Sequence, residues 1–275
     1  MSYSTILVNL QAGRSNTHLL AVAKQVSERF NAGVTGHTAC TPIEVMYADG
    51  YAFGDIFEQD SKEIERETNA AEAEFRDAFG NQAGFHDWHS AVVMTSLSAH
   101  LAQESSRADL ILTNADGAEK YNQSRQVSIG DLVMQAGRPV LVVAPEDVPF
   151  HMDRFLIGWK DTREARRAVA DALPMLQSAT NVDIVEIASE DDLSAAHMRL
   201  NQVAAWLGRH GVPSQVQAVS ADKEDATQFS IIASERGADI IVAGAYGHSR
   251  VREWALGGMT RSLLKNPVRS SLLSH

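Results

Sequence analysis

Residues 238–260 read ADIIVAGAYGHSRVREWALGGMT, an apolar strand-like run followed by a loop with glycines at both ends. Gly244 and Gly247 open the loop, and Gly257 and Gly258 close it before a short predicted helix, MTRSLLK. Glycine accepts positive φ and lets a ligand approach the backbone, and the first N–H groups of a helix favour an anion. The stretch therefore indicates a phosphate-facing loop, with an ordinary strand-to-helix turn as the alternative.

Polar side chains of the same loop strengthen this prediction. Thr260 can donate its hydroxyl to a phosphate, and His248 and Arg250 can supply positive charge. The spacing matches neither the P-loop nor the GxGxxG fingerprint, so the mechanisms of those motifs do not apply. No paired carboxylate or nucleophile lies near His248 in the sequence, and we therefore predict a binding site without catalytic residues.

The same order of elements occurs twice along the chain. SSRADLILTNADG at 105–117 resembles SERGADIIVAGAYG at 234–247, and TILVNLQAGRS at 5–15 resembles RFLIGWKDTRE at 154–164. In both halves, short apolar runs alternate with segments of helical period, which is typical of βαβ units on a parallel sheet. Loops at the carboxyl edge of such a sheet bind ligands.

A charged, proline-containing linker at 146–153 separates the two copies. We predict two doubly wound α/β domains, residues 1–146 and 152–275. The long polar helix predicted for 56–79 has its apolar residues on one face, and its charged residues indicate a solvated face with i,i+4 pairs. Alternatively, this helix and the irregular segment 44–58 before it, with its aromatic residues, form a lid or a surface that binds a partner.

Composition restricts the partners. The net charge of −11 and the pI near 5.3 argue against nucleic acid. No segment has the length and hydropathy of a membrane span, and the N-terminus lacks a signal-peptide pattern, so we expect a cytoplasmic protein. Cys40 is the only cysteine, which excludes an intrachain disulfide. In FHDWH a strand places His86 and His89 on opposite faces, and we predict no metal site.

The spacing Gly244-x2-Gly247-x9-Gly257, followed by Thr260 and by Pro267-Val268, resembles the ATP-binding signature of universal stress proteins. Two copies in one chain resemble the tandem form of that family. The resemblance implies five parallel strands in the order 3-2-1-4-5, an adenine nucleotide alpha hydrolase-like fold, and pairing through the last strand. It also implies ATP, accompanied by Mg²⁺, as the ligand and no dedicated catalytic triad.

The second half departs from this signature at two places. Gly258 stands where the family usually has Ser or Thr, which removes a hydroxyl and keeps the backbone N–H. Lys160-Asp161-Thr162 stands where ATP-binding members usually have Asp-Gly-Ser. Lysine cannot accept a hydrogen bond, so the carboxylate contact is lost, moves to Asp161, or reflects a different ligand.

The first half departs further. It keeps Gly117 and Gly130, but Asn114 replaces Gly244, Gln11 stands at the first-strand position, and Asp116 and Asp131 add negative charge where phosphates would lie. We therefore predict a degenerate first pocket and one nucleotide site for each chain.

Three functions remain open from the sequence. The first is a stress-response protein that binds ATP or a related adenine nucleotide in its second domain and signals through protein partners. The alternative is a nucleotide-independent interaction module with a relic pocket. Slow ATP hydrolysis or adenylyl transfer is a third, supported only by fold analogy. For assembly, the two domains pair within the chain or the chain forms a homodimer.

Overall fold

Strands and helices alternate along the chain, as the apolar periodicity predicts. The structure is a computed structural model that describes residues 2–43, 53–80, 84–115, 124–222, 225–245 and 268–275. Contacts divide the chain into two compact units, Tyr3–Ala136 and Gly137–His275. Among the helices within the described ranges, we find none with the length and hydropathy that a membrane crossing requires.

The unit Tyr3–Ala136 contains a parallel sheet in the order β3-β2-β1-β4. This order matches the first four positions of the predicted 3-2-1-4-5 arrangement. The apolar face of the long helix is buried as predicted, with Ile64, Ala71, Phe75 and Phe79 at most 5% exposed. The elements are β1 Thr5–Asn9, α1 Thr17–Phe30, β2 Gly33–Cys40, α2 Phe53–Phe79, β3 His86–Val92, α3 Leu97–Glu104, β4 Leu110–Asn114 and α4 Ile129–Ala136.

The unit Gly137–His275 contains strands in the order β5-β10-β9-β6-β7-β8. The neighbouring strands from β10 through β9, β6 and β7 to β8 are all parallel. Counted from β6 as the first strand of the second half, this is the predicted order 3-2-1-4-5, which is thereby confirmed. The helix predicted near 257–264 lies outside the described residues. The elements are β5 Val140–Val143, β6 Arg154–Gly158, α5 Arg163–Gln177, β7 Asn181–Ala188, α6 Leu193–Arg209, β8 Gln215–Ser220, α7 Asp225–Glu235, β9 Ile240–Gly244 and β10 Ser270–Ser274.

Strand β5, the last strand of the first half, makes the pairing that the family resemblance implies for last strands. It pairs antiparallel with β10, with Val142 opposite Ser271, so this unit has a sixth strand. The backbone N–H of Ala144 also donates to Ser270 Oγ at 3.1 Å. Both strands are fully buried, and the pairing satisfies backbone groups of β10 that would otherwise form an open edge. Because of this pairing β5 belongs to the second compact unit, while the domain boundary in the linker stays a prediction.

Candidate functional site

The carboxyl ends of β6 and β9 form the topological switch point of the second sheet. The two strands are neighbours, with Gly158 opposite Ala243. From β6 the chain crosses to β7 on one side, and from β9 it continues to β10 on the other side. In open α/β sheets, ligands bind in the crevice where the connections diverge in this way. The loop that the sequence singled out begins at this position, at the end of β9.

Gly244 has a packing role that the sequence did not indicate. A Cβ at this position would lie 2.5 Å from the carbonyl carbon of Glu164 and 2.9 Å from Cα of Ala165, in the first turn of α5. Gly244 does not use the positive φ that glycine allows. Its missing side chain therefore lets β9 contact the backbone at the start of α5.

The N-terminus of α5 is capped by the protein itself. Thr162 is the N-cap residue, and its Oγ1 accepts a hydrogen bond from the backbone N–H of Ala165 at 3.2 Å. Glu164 is buried in the first turn, and Arg163 Nε donates to it at 3.0 Å. Burial alone would raise the pKa of Glu164, but its backbone hydrogen bond and Arg163 outweigh burial and lower the pKa. Because this terminus carries its own carboxylate, a phosphate would need donors from the loop after β9.

Lys160 and Asp161 occupy the loop after β6. Lys160 is exposed. The carboxylate of Asp161 accepts hydrogen bonds from Arg166 Nη2 at 2.6 Å and Arg166 Nε at 3.1 Å. A nucleotide contact by Asp161 stays a prediction, and it would compete with this ion pair.

Gly244 and Asp161 are the two predicted site residues that the structure describes. The other members of the predicted site, on the loop between β9 and β10, lie outside the described residues; these are Gly247, His248, Arg250, Gly257, Gly258 and Thr260. At the near end of that loop, the backbone N–H of Ala245 donates to Ser274 O at 2.9 Å. His275 Nδ1 lies 3.0 Å from the carbonyl oxygen of Ala245.

The corresponding edge of the first unit is occupied by carboxylates of α2. The backbone N–H of Asn16, the N-cap residue of α1, donates to Glu74 Oε2 at 2.6 Å. Gly13 has a φ of +75°, and a Cβ there would lie 2.6 Å from Glu67 Oε1. A carboxylate near a helix N-terminus is stabilised by the helix dipole. Glu74 therefore occupies a place that would otherwise suit a phosphate.

An ion-pair network lies at the same edge of the first unit. Arg125 Nη2 donates to Asp60 at 2.9 Å and Arg125 Nε to Glu67 at 2.7 Å. Arg125 Nη1 donates to the carbonyl oxygens of Thr41 and Ser124. The side chains of Arg125, Asp60 and Glu67 are only 10%, 4% and 12% exposed. Burial lowers the pKa of Arg125, but its bonds to Glu67 and Asp60 reverse the effect and raise it.

This network corrects part of the sequence interpretation of α2. Exposed pairs such as Glu58–Lys62 and Glu72–Arg76 confirm the solvated face. Asp60, however, is turned inward although it belongs to the polar pattern. The sequence carried no local signal for this, because its partner Arg125 is 65 residues away. Asn114 is the last residue of β4, and Gln11 follows β1 at this edge. Asp131 lies in the first turn of α4.

A pair of histidines, of which His37 is buried and His100 half-buried, is a further feature that the sequence did not indicate. His37 on β2 and His100 on α3 have their Nε2 atoms 3.3 Å apart. Burial, and then His100, lower the pKa of His37 to about 4. Strand β3 begins at His86, with His86 against Phe79 and His89 bonded to Asp87 at 2.9 Å. Within the described ranges, no three metal-binding side chains are arranged to hold an ion.

Solved structures show which fold this is. A universal stress protein from Archaeoglobus fulgidus DSM 4304 matches with a TM-score of 0.72 over 98% of this chain and 97% of that chain, at 14% identity. A functionally unknown protein from Pseudomonas aeruginosa PAO1 matches with a TM-score of 0.60 over 99% and 92%, also at 14% identity. The cytoplasmic domain of a prokaryotic cation chloride cotransporter matches with a TM-score of 0.53 over 98% and 94%, at 12% identity.

The chain therefore has the fold of a universal stress protein along both of its halves, which confirms the predicted fold class. At sequence identities this low, the structural similarity establishes the fold alone. No model of a known protein family matches the sequence, and no curated protein does.

Proposed function

We propose that this chain is a cytoplasmic, tandem universal stress protein whose second domain binds ATP or a related adenine nucleotide. The observation that carries the proposal is the position of the glycine-rich loop. It leaves β9 directly at the switch point beside β6, where doubly wound sheets bind nucleotides. The sequence signature of the loop and the fold of the chain are consistent with this assignment. Nucleotide binding then changes a surface that protein partners read.

Backbone N–H groups near Gly247, Gly257 and Gly258 hold the phosphates in this proposal. Thr260 adds a hydroxyl donor, and His248 and Arg250 add positive charge. ATP brings Mg²⁺ with it, which reduces the charge that the loop has to balance. The N-terminus of α5 carries its own N-cap, Thr162, and the buried carboxylate of Glu164, so the phosphate donors come from the loop after β9 in this proposal.

One site per chain follows from the difference between the two units. In the first unit, Glu67 and Glu74 lie where a nucleotide would approach, and Arg125 is bound by Asp60 and Glu67. A triphosphate would meet these carboxylates at close range. We therefore propose that the first domain carries no nucleotide.

Isothermal titration with ATP and Mg²⁺ tests this function. We expect one ATP per chain for the wild type and no measurable binding for Gly247→Val, because a β-branched residue opposes positive φ and close approach. Gly117→Val, the counterpart in the first half, is the matched control and should bind as the wild type does. Two equivalent sites, or equal affinity of Gly247→Val and the wild type, would contradict the proposal.

A second candidate function is nucleotide-independent binding of a protein partner. It is favoured by exposed apolar side chains next to the segment 44–52: Ile43 is 46%, Ile56 40% and Phe57 46% exposed. The backbone N–H of Ile43 donates to Asp60 at 2.9 Å, which places Ile43 against α2 near the other two. Absence of co-purifying nucleotide together with no thermal shift by ATP would favour this function over the first.

A further inference from the structure

A stripe of three carboxylates runs along one face of α2. Asp60, Glu67 and Glu74 are seven residues apart, close to two helical turns, so their side chains leave the helix on nearly the same side at intervals of about 10 Å. Asp60 is buried and the other two are partly buried. By contrast, Glu58 and Glu72 form i,i+4 pairs on the exposed face of the helix. We call Asp60, Glu67 and Glu74 the acidic stripe.

Two carboxylates of the acidic stripe lie against the loop that joins β1 to α1. Asn16, the N-cap residue of α1, is fully buried, and its backbone N–H donates to Glu74 Oε2 at 2.6 Å. Glu67 lies against Gly13, where an added Cβ would be 2.6 Å from Glu67 Oε1. A helix N-terminus and a backbone without a Cβ are features with which α/β proteins hold a phosphate group. In this unit, carboxylates of the chain itself occupy both features.

Arg125 supplies positive charge at the same edge. Its Nε donates to Glu67 and its Nη2 to Asp60, whose second oxygen accepts a hydrogen bond from the backbone N–H of Ile43 at 2.9 Å. Arginine forms the same paired hydrogen bonds with carboxylates and with phosphates, so Arg125 is a group that an anionic ligand would use. Asp60 and Glu67 together place two negative charges beside this single positive charge, which makes the edge repel a free anion.

We propose that α2 is an autoinhibitory strap, whose acidic stripe occupies an anion site of the first unit and excludes polyphosphate groups from it. Arg125, the backbone N–H of Asn16 and the open backbone at Gly13 form this site, and Glu67 and Glu74 fill it. The class of ligand rests on the proposed function, which assigns a nucleotide to the second unit of the same fold. The masking rests on contacts within the first unit alone. Removing the charge of the stripe should therefore convert the first unit into an anion-binding unit.

Neutral variants of the acidic stripe test the proposal, with inorganic pyrophosphate as the probe. The double variant Glu67→Gln/Glu74→Gln keeps the shape and the hydrogen-bond acceptor of each side chain and removes two negative charges. In isothermal titration of the full chain without Mg²⁺, this variant should bind one more pyrophosphate for each chain than the wild type does. Each charge removed should tighten binding to the first unit at least roughly tenfold, so Glu67→Gln alone should show the added site at lower affinity.

The double variant Glu58→Gln/Glu72→Gln is the matched control, because it removes the same charge from the exposed face of α2. It should bind pyrophosphate as the wild type does. Adding Arg125→Gln to the stripe variant should abolish the added site, while far-UV circular dichroism shows that the helices are retained. No added site in the stripe variant, the same added site in the control, or an added site that persists without Arg125 would overturn the proposal. A wild type that binds no ATP would instead contradict the proposed function, and the differences between these variants would still be measurable.

Discussion

Lowering the pH should destabilise the protein through His37. This side chain is 1% exposed, and its Nδ1 has no hydrogen-bond partner within the described residues. It lies near His100 and His89, which oppose its protonation, and near Glu104, which favours it. Burial is the largest effect, and the pKa of His37 falls from 6.5 to about 4. The folded state therefore keeps this imidazole neutral.

The direction and size of the effect follow from these two pKa values. As the pH falls below 6.5, the unfolded chain takes up a proton at this residue and the folded chain does not until the pH nears 4. The stability that neutral His37 provides is complete above pH 6.5 and is lost as the pH falls to 4. Using about 1.4 kcal/mol for each pKa unit, we expect a loss of about 2 kcal/mol at about pH 5 and about 3 kcal/mol at about pH 4.

Urea unfolding followed by far-UV circular dichroism measures this loss. Between about pH 7.5 and about pH 5, the unfolding free energy of the wild type should fall by about 2 kcal/mol more than that of His37→Gln, whose amide does not titrate. His151→Gln, at an exposed histidine, is the control and should follow the wild type. Parallel pH profiles of the wild type and His37→Gln would refute the reasoning.

Three further substitutions test other contacts. Gly244→Ala should lower the unfolding free energy measured in urea by about 1 to 3 kcal/mol, because the added Cβ would contact the α5 backbone. An unfolding free energy equal to that of the wild type would show that α5 moves freely. Arg125→Ala should lower the unfolding free energy by about 3 to 5 kcal/mol, because Asp60 and Glu67 lose their shared partner. A smaller decrease than that of Arg66→Ala, at an exposed arginine, would contradict this. Lys160→Asp should tighten ATP binding about tenfold by restoring an acceptor, whereas Lys24→Asp should not.

The strands and helices of the second half could be predicted because apolar runs and helical periods are local signals, whereas their order 3-2-1-4-5 was implied only by the family resemblance. VLVV itself carries no information about which strand it will meet, so the pairing of β5 with β10 was indicated only by the family resemblance, which implies pairing through the last strand. Pairing of β5 with β10 depends on residues more than a hundred positions apart. Local sequence patterns thus predicted the strands and helices, whereas long-range contacts determined which strand β5 pairs with.

The candidate site shows the same division between local and long-range information. The pattern around Gly244 predicted its place at the end of a strand. Its contact with Glu164 and Ala165 comes from a helix about eighty residues earlier in the chain, which no local pattern reports. In α2, the period predicted the buried Phe75 and Phe79 correctly. The same period could not separate Asp60, which binds a distant arginine, from the carboxylates that face water.

The pairing of β5 with β10 has a consequence for dividing the protein into fragments. A fragment that begins after the linker would contain β10 without β5, and the backbone groups of Leu272 and its neighbours would lose their hydrogen bonds on that side. An unprotected apolar strand is a template for adding another strand. The isolated second half should therefore self-associate through β10, so that affinities measured on such a fragment would depend on its concentration, whereas those of the intact chain would not.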